Sequence, residues 1–441
     1  MDQSGTLTVK EVAAFLRITP QAVYNMIKRE EITAFKVGSA VRVLRADLDD
    51  YIQRGKRLFS AQNAVYEAPE EGILAARRLC ARFGGRQGGQ RASAVFSLDS
   101  VSFQIPAGST LGIVGPSGSG KTLLLKALAG LIPLDAGALF LGSKRLDGSD
   151  PRERRTGLVF QDYALYPMLD GAGNIAFPLR IGKAAKETID PAVERIAGEL
   201  GIEREYLAKA IEALPEGIKQ LVAIGRAENK PVGHNVELFL MDEPLIHLDA
   251  RMREGTRAFL KRLVSSIGAT TIYAFNEAAD ALALSDRILL LRDGGVVQFG
   301  ATSEVFSLPA DPNVMELLSL NGVTKLRGDY AAGKAAIADI GAEVSAQPGT
   351  GIPLDYRGKV DVCFRPEETE PTQRGAKGAL IATIDRSVPY DGERVLAHGR
   401  LLAKGRKEAQ EEAPGVAFLA PGEAEGTYAF RPTAAVAFPA V

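Results

Sequence analysis

The stretch LGIVGPSGSGKTLLLKALAGL, residues 111–131, constrains this chain more than any other. An apolar run ends in a glycine-rich loop and continues as an apolar helix. It fits the pattern G-x-x-x-x-G-K-[ST] with Gly115, Gly120, Lys121 and Thr122. Glycines let backbone N–H groups close around phosphates, and the helix N-terminus adds its dipole. Lys121 then reaches the outer phosphates, and the Thr122 hydroxyl holds Mg²⁺. Gly115, Ser117, Gly118, Ser119, Gly120, Lys121 and Thr122 are therefore the candidate nucleotide-binding loop.

A second stretch supplies the acids that such a loop needs. VELFLMDEPLIHLD, residues 236–249, reads as a buried strand ending in Asp242 and Glu243. Asp242 would hold Mg²⁺ through water, and Glu243 would orient or deprotonate an attacking water. Between about Gly72 and Leu320, short apolar runs alternate with helical stretches, the pattern of a parallel sheet with crossover helices.

The remaining chain frames this segment. With 441 residues there is room for two or three domains. Lys plus Arg is 53 against 54 for Asp plus Glu, so any DNA contact must come from a local patch. The two cysteines, Cys80 and Cys363, have no ligand spacing, which favours a cytoplasmic chain without a structural disulfide. His234, His247 and His398 form no i,i+4 pair, so they propose no metal site. No apolar run is long enough to cross a bilayer, so any membrane role would be that of a peripheral subunit. The expected divisions are a helical domain at 1–57, a linker at 58–69, the α/β segment at 70–320, and a small all-β domain at 321–441. The Gly- and Arg-rich insert GGRQGGQRASA is expected to be a flexible hairpin tip, and KGRKEAQEE at 404–412 a solvated face or loop.

The first segment, LTVKEVAAFLRITPQAVYNMIKREE, contains two helix starts. Thr8 followed by Glu11 is a capping box, and Thr19 before Pro20 is an N-cap with proline at the first helical position. Val12 with Leu16 and Val23 with Ile27 supply the buried faces. The outer face of the second helix then carries Gln21, Tyr24, Asn25 and Lys28, side chains able to reach base edges and phosphates. The following residues read as a strand, a turn at Gly38–Ser39, a second strand, and a helix capped by Asp47. Lys36 and Arg42 would sit on this wing. The segment resembles the excisionase and MerR-like winged helix-turn-helix family over roughly residues 7–53, which implies DNA binding. Ten basic residues against seven acids up to residue 57 give a modest positive surplus. One copy reads one half-site, so useful affinity implies a dimer. The competing reading is a helical docking module without DNA binding.

Residues 72–320 resemble an ATP-binding-cassette (ABC) ATPase of the maltose/sugar importer type. The resemblance rests on the phosphate loop and acid pair, on the Q-loop LVFQDYALYP, and on DRILLLRDGGVVQFGATSEVFSLPADPNV. It implies an α/β P-loop NTPase fold that binds ATP and Mg²⁺. It places Phe83 against adenine and Gln161 at the Mg²⁺ and permease-sensing position, and it retains Asp249 of the D-loop. VDVCFRPEE, with Arg365 and Pro366, resembles more loosely the regulatory OB/TOBE-like domain of the same importers.

The family pattern breaks at three points. The signature Leu-Ser-Gly-Gly-Gln is replaced by Leu214, Pro215, Glu216, Gly217 and Ile218, which removes a serine hydroxyl and sets an acid near a polyanion. Asn276 stands where the family has its switch histidine, and Ile246 where the D-loop usually has serine. An amide can donate a hydrogen bond but carries no charge. The resemblance therefore implies a subunit of a sugar-type importer that binds ATP and hydrolyses it weakly, with Glu243 and a degenerate Asn276 as its catalytic positions. It would form a homodimer, or a heterodimer with another ABC ATPase, under permease subunits on the inner face of the plasma membrane. The alternative is an ATP-sensing transcription regulator whose cassette serves as a dimerisation clamp.

Overall fold

The computed structural model describes residues 5–28, 31–83, 96–229, 236–246, 250–340, 342–349, 352–353, 355–373, 376, 379–390, 394–403, 413–421 and 427–440. The glycine- and arginine-rich insert, the 404–412 charge run, His234, His247 and Asp249 lie outside these residues. The chain forms two compact units, residues 1–276 with 283–297, and residues 277–282 with 298–441.

The first unit begins with the helix-turn-helix. Helix Val9–Leu16 starts on the expected capping box, with Thr8 and Glu11 bonded reciprocally. Helix Pro20–Lys28 starts on the Thr19 hydroxyl, which accepts from Ala22 N–H at 3.2 Å. Val12 and Val23 are fully buried, with Leu16 and Ile27 half-buried beside them. Strands Phe35–Val37 and Ala40–Leu44 form the wing around Gly38, whose φ of 63° suits glycine. Strand Thr6–Thr8 adds a third, unexpected member by pairing with Ala40–Leu44.

Two expectations need correction here. Asp47 does not cap the third helix. That helix starts at Arg45 with Leu44 at the cap position, leaving Asp47 inside the first turn. Nor is 58–69 irregular throughout, because the helix runs on to Gln62. The cause is packing. Ala61 is buried with Cys80 and Ala136, and Leu58 rests on the same group.

The helix thus lies on an antiparallel sheet of order Phe96–Pro106, Ile73–Phe83, Ala136–Leu141, Lys144–Arg145. Beside it is a parallel sheet. Its strands Arg287–Arg292, Thr110–Val114, Thr270–Phe275, Leu238–Asp242 and Thr156–Val159 pair in that order. Leu238–Asp242 and Thr270–Phe275 are buried at every position, as expected for strands covered on both faces. Helices Gly171–Ile181, Lys186–Glu199 and Glu216–Glu228 form a helical subdomain.

The second unit is mostly β. Helices Thr302–Ser307 and Pro312–Leu318 belong to it as well as the strands. The Arg365 guanidinium is the reason at one of these points. It is buried, lies 3.9 Å from the Phe306 ring centroid, and donates to Phe306 O at 2.9 Å. Two sheets follow, and their inner faces share a core that includes Val360, Val362, Phe364, Phe418 and Phe430. Strand Thr324–Ala331 alternates buried and exposed without exception, the pattern of a sheet with one wet face.

Candidate nucleotide site and N-terminal surface

The phosphate loop joins strand Thr110–Val114 to helix Lys121–Ala129. Gly118 and Gly120 adopt φ of 81° and 103°, the left-handed region that a side chain resists. Gly115 is required for space: a Cβ there would lie 2.1 Å from Leu291 O. Lys121 is buried and donates from Nζ to Gly115 O at 2.7 Å and Pro116 O at 3.1 Å. Burial pushes the Lys121 ammonium below its usual pKa, with the Glu243 and then the Asp242 charge opposing that shift.

A cavity of about 430 Å³ opens over this loop. Ser117, Gly118, Gly120, Lys121, Thr122, Gln161, Glu243 and Asn276 line it, all named from sequence. Leu123, Lys126, Ile132 and Ile246 also line it. Of these, Lys126 is the chemically important addition. It lies one turn into the loop's helix, and a second lysine after GKT was a signal available in the sequence. Gly115 and Ser119 stand behind the wall. Phe83 ends strand Ile73–Phe83, and its side chain lies outside the described residues.

Asp242 and Glu243 stand at the end of the neighbouring strand. Asp242 is buried, and its Oδ1 has no hydrogen-bond partner. Burial raises its pKa, while a hydrogen bond from Thr122 and the charges of Lys126 and Lys121 pull it down. A buried, orphaned carboxylate oxygen beside a threonine hydroxyl fits a small hard cation that takes oxygen ligands. Glu243 holds φ of 48°, and its N–H donates to Ala274 O at 2.9 Å. The Asn276 amide donates to Glu243 Oε1. The pairing of Asp242 with Ala274 across adjacent parallel strands brings these two side chains together.

The altered signature leads into helix Glu216–Glu228. Pro215 stands at its cap and offers no side-chain acceptor. Glu216 pairs with Lys219 at 2.7 Å and is half exposed. The helix is tied to both motif loops. Gln220 donates to Pro244 O, and Arg226 donates to Ala164 O at 2.5 Å and Tyr163 O at 2.7 Å. Burial pushes the Tyr163 hydroxyl up to about 12, aided by the Glu216 charge. Tyr163 and Ala164, next to Gln161, both hold positive φ, so the arginine clamp sits where backbone strain is stored.

On the N-terminal domain, Gln21, Tyr24, Asn25 and Lys28 are all exposed along one helix, and Lys36 is exposed on the wing. Arg42 is half-buried; it donates to Val41 O at 3.3 Å and pairs in the sheet with Thr8 and Phe35. It lies close enough to the capping box to help lower the Glu11 pKa, after the Thr8 backbone and side-chain hydrogen bonds. Arg42 is therefore less available to a ligand than the other five.

A family model described as "ABC transporter" matches residues 98–246, and one described as "Helix-turn-helix domain" matches residues 6–56. The sn-glycerol-3-phosphate import ATP-binding protein of Ruegeria pomeroyi is 34% identical over 337 residues, 76% of this chain and 90% of its own length. The maltose/maltodextrin import ATP-binding protein of Escherichia coli K12 is 34% identical over 76% of its length and 68% of this chain. An Fe(3+) ions import ATP-binding protein of Streptomyces avermitilis is 36% identical over 72% of its length and 60% of this chain. Near-equal identity to proteins named for three different solutes indicates that the shared residues are those of the ATPase. No described helix is long and apolar enough to cross a membrane. With its phosphate loop, its acid pair and these relatives, the chain belongs to the ABC transporter ATPases of importer type, and carries a helix-turn-helix domain at its N-terminus.

Proposed function

We propose that this chain is the ATP-binding subunit of a sugar-type importer, that it binds ATP with Mg²⁺ and turns it over slowly, and that its N-terminal domain binds DNA. The observation that carries the reading is the contact between Asn276 and Glu243 in a cavity lined by Ser117, Lys121, Thr122 and Gln161. Lys121, Lys126 and the loop N–H groups favour a polyphosphate. Thr122, Gln161 and Asp242 would hold the Mg²⁺, whose chemistry is to neutralise charge on the β- and γ-phosphate oxygens. Glu243 is the group that would take a proton from water. An amide donating to its carboxylate would compete with a water for that oxygen. Glu216 adds an acid where a partner cassette's ATP would approach, and its pairing with Lys219 only partly offsets that charge.

The subunit would act as a dimer, beneath permease subunits on the cytoplasmic face of the membrane. The Asn276–Glu243 contact also favours a second reading, a transcription regulator in which ATP closes a clamp without driving transport. ATP affinity and turnover of the purified chain test both. We expect binding lost in Lys121→Ala, and turnover that is slow in the wild type and abolished in Glu243→Gln. Turnover at the rate of an ordinary transport ATPase, abolished by both substitutions, would overturn slow hydrolysis and with it the regulator reading.

A further inference from the structure

The third helix of the N-terminal domain does not end in a free tether. Its last turns are fixed to the antiparallel sheet by polar contacts as well as by Ala61. The Arg57 guanidinium meets the Asp99 carboxylate through Nε and Nη2, at 3.0 and 2.5 Å. Arg78, in the facing strand, donates to Ser60 Oγ at 3.0 Å and Arg57 O at 3.4 Å. Gln62 donates to Asp135 O at 3.4 Å. Asp99, the partner of Arg57, is itself two hydrogen bonds from the phosphate loop. Its N–H donates to Gly294 O at 2.8 Å, and Gly294 N–H donates to Ser119 O of the phosphate loop at 3.0 Å. This junction is closely packed. A Cβ at Gly294 would fall 1.9 Å from Ser97 O, and one at Gly120 would touch the buried Leu98 side chain at 3.4 Å. The path is thus helix, Arg57, Asp99, Gly294, Ser119, with a side-chain ion pair at Arg57–Asp99 and backbone hydrogen bonds at the last two steps.

We propose that the helix-turn-helix domain is a rigid extension of the cassette whose position reads the state of the phosphate loop through Arg57, Asp99 and Gly294. This rests on the reading of the loop as a nucleotide site. Filling the loop shifts Ser119 and Gly294, the start of strand Phe96–Pro106 follows, and the helix Arg45–Gln62 is carried with it. A flexible tether would transmit nothing. A clamped helix passes on a displacement, because packed elements move as bodies rather than deforming continuously.

The test is a distance measured between spin labels on the N-terminal domain and on the parallel-sheet part of the cassette, in the full chain with and without Mg-ATP, beside a direct measurement of ATP affinity. We expect Mg-ATP to move the wild-type distance distribution to a new maximum. Asp99→Ala should bind ATP as the wild type does but lose this change. The swap Arg57→Asp with Asp99→Arg, which restores the ion pair with reversed sign, should recover it. The swap separates a broken pair from a damaged fold. ATP bound with an unchanged distance overturns the coupling alone. Failure to bind ATP at all overturns the nucleotide reading together with this proposal.

Discussion

Asn276 is the residue on which the proposed slow turnover turns. Its amide donates to Glu243 Oε1, on the residue that would take a proton from water. An imidazole at the same place could also hold Glu243, but it can take a charge and reach a developing phosphate oxygen. Loss of a single such donor costs on the order of a hundred- to a thousandfold in rate. Asn276→His should therefore raise kcat for ATP by about tenfold or more while leaving ATP affinity within about twofold, because the change acts on the transition state. Steady-state turnover beside equilibrium ATP binding reads both quantities. An unchanged kcat would place the whole defect in the altered signature. The identity of this residue was legible in the sequence, because the motif framed it. Its partner was not, because the contact depends on two strands 28 residues apart lying next to each other in register at Asp242 and Ala274.

At the scale of elements, the sequence declared those boundaries that a local hydrogen bond decides. Thr8 with Glu11 and Thr19 before Pro20 are capping arrangements, and both helices start there. Asp47 was misleading because an acid in the first turn and an acid at the cap look alike in sequence, and both suit the helix dipole. The 58–69 stretch was misread for a different reason: its apolar spacing is weak, and Ala61 becomes core only because an 11-residue strand lies against it. Helix Glu216–Glu228 shows what such ends can do. Proline at its cap gives no acceptor to the first N–H groups, while Glu216 partly compensates through the dipole. Replacing Pro215 with Ser and Glu216 with Gly should leave stability within about 1 kcal/mol, since a gained cap offsets a lost first-turn acid. ATP-dependent self-association should tighten by about tenfold as the acid leaves the interface. Sedimentation with ATP in the Glu243→Gln background measures it, and unchanged association would mean that Glu216 does not face a second nucleotide.

For the whole molecule, the relevant fact is that a near-neutral chain carries a small basic domain on a cassette that closes in pairs under our reading. With 53 basic and 54 acidic residues, long-range attraction to DNA is negligible, so binding must be local. Gln21, Tyr24, Asn25, Lys28 and Lys36 are exposed in one small domain, and Arg42 is drawn back toward the capping box. Few cations then reach phosphates, and a shallow salt dependence follows: a slope of log affinity against log salt of about −2 per domain for Lys28 and Lys36. If two domains engage paired half-sites, the slope should roughly double, and affinity should rise with protein concentration through dimerisation. Mg-ATP should strengthen this in the wild type and not in Lys121→Ala, because only a filled phosphate loop sets the two domains at a fixed spacing. Fluorescence anisotropy on a labelled duplex, titrated with salt at fixed nucleotide, separates these terms. Lys28→Ala should lower the slope by about one per domain at every duplex sequence, whereas Asn25→Ala should reduce discrimination between sequences and leave the slope alone. A slope unmoved by Lys28→Ala would mean that the second helix does not lie on the phosphate backbone, and would turn the N-terminal domain into a protein-docking module attached to the cassette by its long helix.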